Sequence, residues 1–170
     1  MHIASVRVMN TQEIEAQIVS VLKAIPGQFK PNQRNSEWTK AVKLAVCVLG
    51  QKLNYAVCGC PPECDKGWLY DLCWYSVTTD RKFLLDMPLV LESEWGNWTE
   101  IKYDFEKLLV AKSKFKVMVF QAEGQNITDY YKELEQGIRT YQGGSAGEVY
   151  LLACYNDEKG EFEIKKVDGA

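Results

Sequence analysis

The chain has 170 residues, 46% of them hydrophobic and 12% aromatic, which suits one globular domain with a real core and excludes a disordered chain. Its net charge of −3 and pI near 5.3 argue against bulk electrostatic attraction to nucleic acid or to an anionic membrane. No apolar run reaches the length of a membrane span, and the start M-H-I-A-S-V-R-V lacks the long apolar core of a signal peptide. Six cysteines without an export signal point to a reducing cytoplasm and free thiols.

Met1–Met9 reads as an edge strand or a disordered start. Thr11–Ile25 has the spacing of a helix, with Thr11 as its N-cap and Pro26-Gly27 as its end. After a polar loop, Ser36–Leu53 is the second helix, with Ser36 capping it and Glu37 in its first turn. Tyr55–Cys58 is a short strand before the break at Pro61-Pro62. Gly67–Val77 and Phe83–Trp95 are two central strands joined by the polar turn T-T-D-R-K. Asn97-Trp98-Thr99 introduces a helix over Glu100–Lys112, and Lys116–Gln121 is a strongly apolar strand. A helix over Thr128–Tyr141, a strand over Glu148–Tyr155, a turn at 157–160 and a strand over Phe162–Val167 complete the order. That order predicts an α/β (or α+β) fold: a central mixed sheet flanked by helices, with the strand after the third helix packed beside the hairpin.

The chemistry concentrates in P-L-V-L-E-S-E-W-G, Pro88–Gly96. Alternate side chains on a strand share a face, so Glu92 and Glu94 point one way and Ser93 the other. The hairpin partner carries one acid, Asp71. A turn centred between Arg81 and Lys82 sets Asp71 opposite Glu92, with Pro88 able to introduce a bulge. Acids brought together from separate elements suit a hard cation such as Mg²⁺ or Mn²⁺, and with it phosphodiester hydrolysis. The same acids also read as solvent-facing strand carboxylates, with Asp71 paired to a lysine.

Asp71 in one strand, Glu92-Ser93-Glu94 about twenty residues on, then a helix and a strand, resemble the PD-(D/E)xK restriction-endonuclease-like superfamily. The likeness runs from about Ser36 to Gln121 and implies an αβββαβ core. It implies Asp71 and Glu92 as metal-binding acids, with Glu37 at the place of the family's occasional first-helix acid. Glu94 stands where the family usually has lysine, and the following helix offers Lys107 or Lys102 instead. The implied activity is a metal-dependent nuclease acting on nucleic acid, DNA above all, with Glu94 and Lys107 beside the metal acids. A homodimer is left open, because nucleases that cut duplexes often pair two active sites. The rival reading is an inert relative that keeps the fold as a binding or assembly module.

Trp68, Trp95 and Trp98 flank the acids and serve either base stacking or the core. C-G-C-P-P-E-C offers Cys58, Cys60 and Cys64 as zinc ligands, a third reading, although a second C-x-x-C pair is missing and the single histidine is His2. Cys47, Cys73 and Cys154 lie in apolar segments, as small buried residues do. No phosphate-cradling glycine motif occurs, and Gly143–Gly147 precedes a strand, which makes it a loop.

Overall fold

The computed structural model describes residues 10–29, 34–62, 68–122, 124 and 126–169; the expectations for Met1–Met9, Cys64 and Gly67 fall outside these. Four helices, α1 (Thr11–Lys23), α2 (Asn35–Lys52), α3 (Trp98–Val110) and α4 (Asn126–Thr140), flank one sheet. Its strands are β1 (Ala56–Cys58), β2 (Leu72–Val77), β3 (Leu84–Glu94), β4 (Phe115–Gln121), β5 (Val149–Asn156) and β6 (Glu161–Asp168). They lie side by side in chain order. β1, β2 and β3 are antiparallel neighbours, β3, β4 and β5 are parallel, and β6 turns back on β5. Parallel neighbours need a crossover, and α3 and α4 supply the two. The mixed sheet flanked by helices is the architecture the sequence predicts, with β4 beside the hairpin. From α2 to β4 the order is helix, three strands, helix, strand.

The two faces of the sheet bury separate cores. Leu72, Trp74, Leu89, Leu91, Val117 and Leu151 pack against Ile18, Leu22, Val42 and Val46 of α1 and α2. Cys73, Val90, Met118, Phe120 and Leu152 pack against Ile101, Phe105, Leu108, Leu134 and Ile138 of α3 and α4. β3, β4 and β5 are covered on both sides, which is why their central stretches are apolar without alternation.

All four helix starts differ from expectation; α3 begins at Trp98, not Glu100, and α4 at Asn126, not Thr128. Asn10, not Thr11, caps α1: its side chain accepts from the Glu13 N–H (2.9 Å), and Glu13 accepts from the Asn10 N–H (3.1 Å). α2 begins at Asn35 instead of after Ser36, so Glu37 falls at the third helical position. There its carboxylate accepts from the Arg34 N–H at 3.0 Å.

The β2–β3 register carries the site. Val77 pairs with Leu84, which centres the turn one residue earlier than predicted. Two register shifts follow, and Leu72↔Leu91, Cys73↔Val90 and Trp74↔Leu89 then adopt the predicted alignment. The second shift contains Met87 and Pro88: the Met87 N–H bonds to Asp86 Oδ1 (2.8 Å) and Pro88 has no N–H to give. A misplaced turn and a pair of bulges therefore cancel. One step past Leu72↔Leu91 stand Asp71 and Glu92. Asp71 is not inside a strand, as its apolar neighbours suggested; it is the residue before β2.

Cys47 and Cys60 form a disulfide, with Cα atoms 5.7 Å apart, that ties α2 to the chain leaving β1. This corrects the expectation that both are free thiols. It also removes Cys60 as a thiolate ligand in this state, which breaks the proposed zinc trio Cys58, Cys60 and Cys64. Among the described residues no helix is long and apolar enough to cross a membrane.

Candidate active site

Strand alternation decides which way each residue of E-S-E faces. Leu91 enters the α1/α2 core, so Glu92 turns to the α3 side. Ser93 turns back, its Oγ 3.0 Å from the Trp95 indole nitrogen, which also donates to Thr39 of α2 (3.0 Å). Trp95 is thereby a core residue, against Trp38 at 5.5 Å, and not a stacking platform.

Glu92 is 1% exposed. Lys107, two turns into α3, brings its Nζ to 2.7 Å from Glu92 Oε1 and to 2.9 Å from the Asp104 carboxylate one turn back. Glu92 Oε1 is buried, and the Lys107 ammonium is its close polar neighbour. Burial pushes the Glu92 carboxyl up to about 8; Lys107 opposes the rise, and the charges of Asp71 and Asp104 add to it. Burial works against the Lys107 ammonium, but its bonds to Glu92 and Asp104 outweigh burial and hold it above its ordinary value. Tyr70 is raised too, by burial first and then by the Glu92 charge, which marks it as a neighbour of the site.

Asp71 is half-buried, and its Oδ2 accepts from the backbone N–H of Ser93 at 2.9 Å. That bond fastens the end of β2 to β3 and brings Asp71 beside Glu92. Lys107 thus meets Glu92 directly, and Asp71 is fastened close enough for its charge to act on Glu92, at the end where β3 leaves the sheet.

The chain matches no family model, no curated protein and no solved structure.

The other predicted acids are engaged elsewhere. Glu94 Oε1 accepts from the N–H groups of Trp95 (2.8 Å) and Gly96 (2.7 Å), and Glu100 accepts from the Asn97 N–H (2.9 Å). Together they build the turn from β3 into α3, where Asn97 caps the helix. A side chain on Gly96 would displace the Glu100 carboxylate from its place in the turn. Glu37 is spent on its own helix start, with Arg34 Nε 3.7 Å away. Lys102 pairs along α3 with Glu106 at 3.9 Å. The expected convergence of three acids is corrected accordingly: among the described residues, no three His, Cys, Asp or Glu side chains are grouped to hold a metal ion.

Two carboxylates still suit Mg²⁺, which is held by one or two protein acids with water and substrate oxygens filling the rest. Asp71 and Glu92 are the two acids that could form such a pair, with Glu92 Oε1 already facing the Lys107 ammonium at 2.7 Å. Sequence reasoning missed Tyr70 and the Ser93 N–H. Tyr70 sits next to Asp71 and could have been suspected; a backbone donor has no signature in side-chain identity.

Trp68 is 47% exposed, with its ring 5.5 Å from Tyr75, and half-buried Trp98 lies 4.5 Å from Tyr130. Of the three flanking tryptophans, only these two keep ring surface outside the core.

Proposed function

We propose that this chain is a metal-dependent phosphodiesterase of the nuclease type, with Asp71 and Glu92 as its metal-binding acids and Lys107 as its catalytic cation. The observation that carries it is the 2.7 Å approach of Lys107 to Glu92 beside Asp71. The resemblance places a lysine two residues after the second acid; here Glu94 stands there, and α3 delivers an ammonium to the same acid from outside the strand. The helix–three strands–helix–strand order from α2 to β4 supports the same reading.

A bound Mg²⁺ or Mn²⁺ would polarise the phosphate and lower the pKa of water. Asp71, oriented by the Ser93 N–H, and Glu92, turned inward by strand alternation, would hold it. Lys107 keeps its proton, since its partners raise its affinity for one, and so presents a fixed positive charge to the phosphate oxygens as negative charge builds. Asp104 positions that ammonium.

The test is cleavage of plasmid and single-stranded DNA with Mg²⁺ or Mn²⁺ by the wild type, Asp71→Ala and Glu92→Ala. Cleavage by wild type alone supports the proposal; no cation binding and no difference among the three proteins sinks it. A second reading, an inert binding module on the same fold, is favoured by one observation: the Lys107 ammonium already occupies the Glu92 oxygen a cation would take. Calorimetric titration with Mn²⁺ separates the two, because an inert scaffold gives no heat.

A further inference from the structure

The first half of β3 extends past the start of β4. β4 joins it only from Leu89↔Phe115 onward, so residues 84–88 pair with β2 alone, and among the described residues no strand lies on their other side. The arm they form is apolar and open: Phe83 is 68% exposed, Leu84 50% and Leu85 64%. A run of three exposed apolar residues has a use or is a liability.

The backbone is open on the same side. The Phe83 carbonyl accepts from the Thr78 N–H (2.9 Å) and the Phe83 N–H donates to the Thr78 hydroxyl (3.2 Å), so residue 83 turns both groups toward β2. Successive residues of a strand turn theirs to opposite edges, so Leu84 presents its N–H and C=O outward. A cleft of about 620 Å³, lined in part by Asp86, Val110, Lys112 and Lys114, opens beside this edge.

In sequence the arm reads Lys82-Phe83-Leu84-Leu85-Asp86. A cation, three apolar side chains and an anion are their own complement when a second copy lies antiparallel. With Leu84 on the twofold axis it meets its own copy, and the pairs Phe83–Leu85 and Lys82–Asp86 each occur twice. The two outward Leu84 N–H groups then donate to the two Leu84 carbonyls. Within one chain Lys82 pairs with exposed Asp80 at 3.4 Å, and Asp86 accepts the Met87 N–H through one oxygen, which leaves the other for the second copy.

We propose that a second copy of this chain docks along this edge, in a twofold dimer built on an antiparallel pairing of residues 82–86. The surface is small, so the dimer is weak, with a Kd on the order of 10–100 μM. The arm and the acids lie at opposite ends of β3, about 25 Å apart at the rise of a strand, so the dimer leaves Asp71 and Glu92 uncovered. The inference stands whether or not the chain cleaves phosphodiesters.

Sedimentation velocity of the full chain from about 5 to 500 μM should show monomer giving way to dimer. Lys82→Glu sets like charges opposite each other twice and should weaken association about 10-fold or more. Adding Asp86→Lys reverses the pair and should bring the affinity back to within about 3-fold of wild type. Leu84→Pro removes the outward N–H, as an edge strand tolerates, and should leave a folded monomer. A chain that stays monomeric over the whole range overturns the inference, whether its arm then binds phosphatidylglycerol vesicles or nothing at all. So does a dimer indifferent to both Lys82→Glu and Leu84→Pro.

Discussion

Glu92→Gln should make the protein more stable while destroying its proposed chemistry. The folded carboxyl titrates near 8 against a usual 4.5, because burial penalises its charge more than Lys107 favours it. The folded state therefore binds a proton that the unfolded chain releases, and stability falls as pH rises from about 4.5 to about 8. At pH 7 the penalty is about 3 kcal/mol, and at pH 5 it is below about 1 kcal/mol. Glutamine keeps the shape and stays neutral, and Lys107 retains Asp104 at 2.9 Å. At pH 7 the variant should gain about 3 kcal/mol, which for a chain of this size is roughly 6–12 °C in Tm. The gain should shrink almost to nothing at pH 5. Thermal melts of both proteins at pH 5, 6, 7 and 8 decide it. Equal gains at all four values, or a loss at pH 7, would show that charge burial is not what strains this position.

Lys107→Met should lower cleavage by about 100-fold or more, since it removes the only cation the site presents among the described residues, and single-turnover rates measure it. Its stability cost should stay near 1–3 kcal/mol, because at neutral pH the Glu92 carboxyl is already largely protonated and no bare buried charge is left behind. Lys116 is fully buried, bonded to Glu148 (2.8 Å) and to the Tyr150 hydroxyl (3.0 Å). Lys116→Met leaves Glu148 buried without its partner and should cost about 3–5 kcal/mol in urea unfolding, whereas adding Glu148→Leu should recover a good part of it. Gly50 lies under the Trp74 indole, and a methyl there would overlap the ring. Gly50→Ala gains about 1 kcal/mol of helix propensity but should still lose about 1–3 kcal/mol net, with displaced tryptophan emission.

The elements themselves were legible because their signals are local. Asn97 before Trp98, the apolar run of β4 and the Gly143–Gly147 break each state their role in a few residues. Helix starts were less so: Asn10 takes a position that Thr11 fits nearly as well by residue type, and Arg34 takes one for which Ser36 is the better cap. The Asp71–Glu92 alignment was reached through a turn set one residue too late, rescued by bulges around Pro88 that no periodicity encodes. Lys107 was readable only as one lysine of a charged helix. Its selection over Lys102 follows from how α3 lies on β3, a tertiary fact. Glu94 looked like part of the acid set because strand alternation governs it only up to the last residue. Beyond that, the turn's N–H groups claim its carboxylate. The Cys47–Cys60 bond joins a helix to a loop, and spacing in sequence says nothing of that approach.

Residues 92–95 of β3 and its exit form a shared wall between two cores that never touch. Glu92 projects into one compartment, the indole of Trp95 is anchored in the other, and the N–H of Ser93 between them steadies Asp71. A disturbance among the aromatic rings behind the sheet can thus tilt the acids in front of it without contacting either.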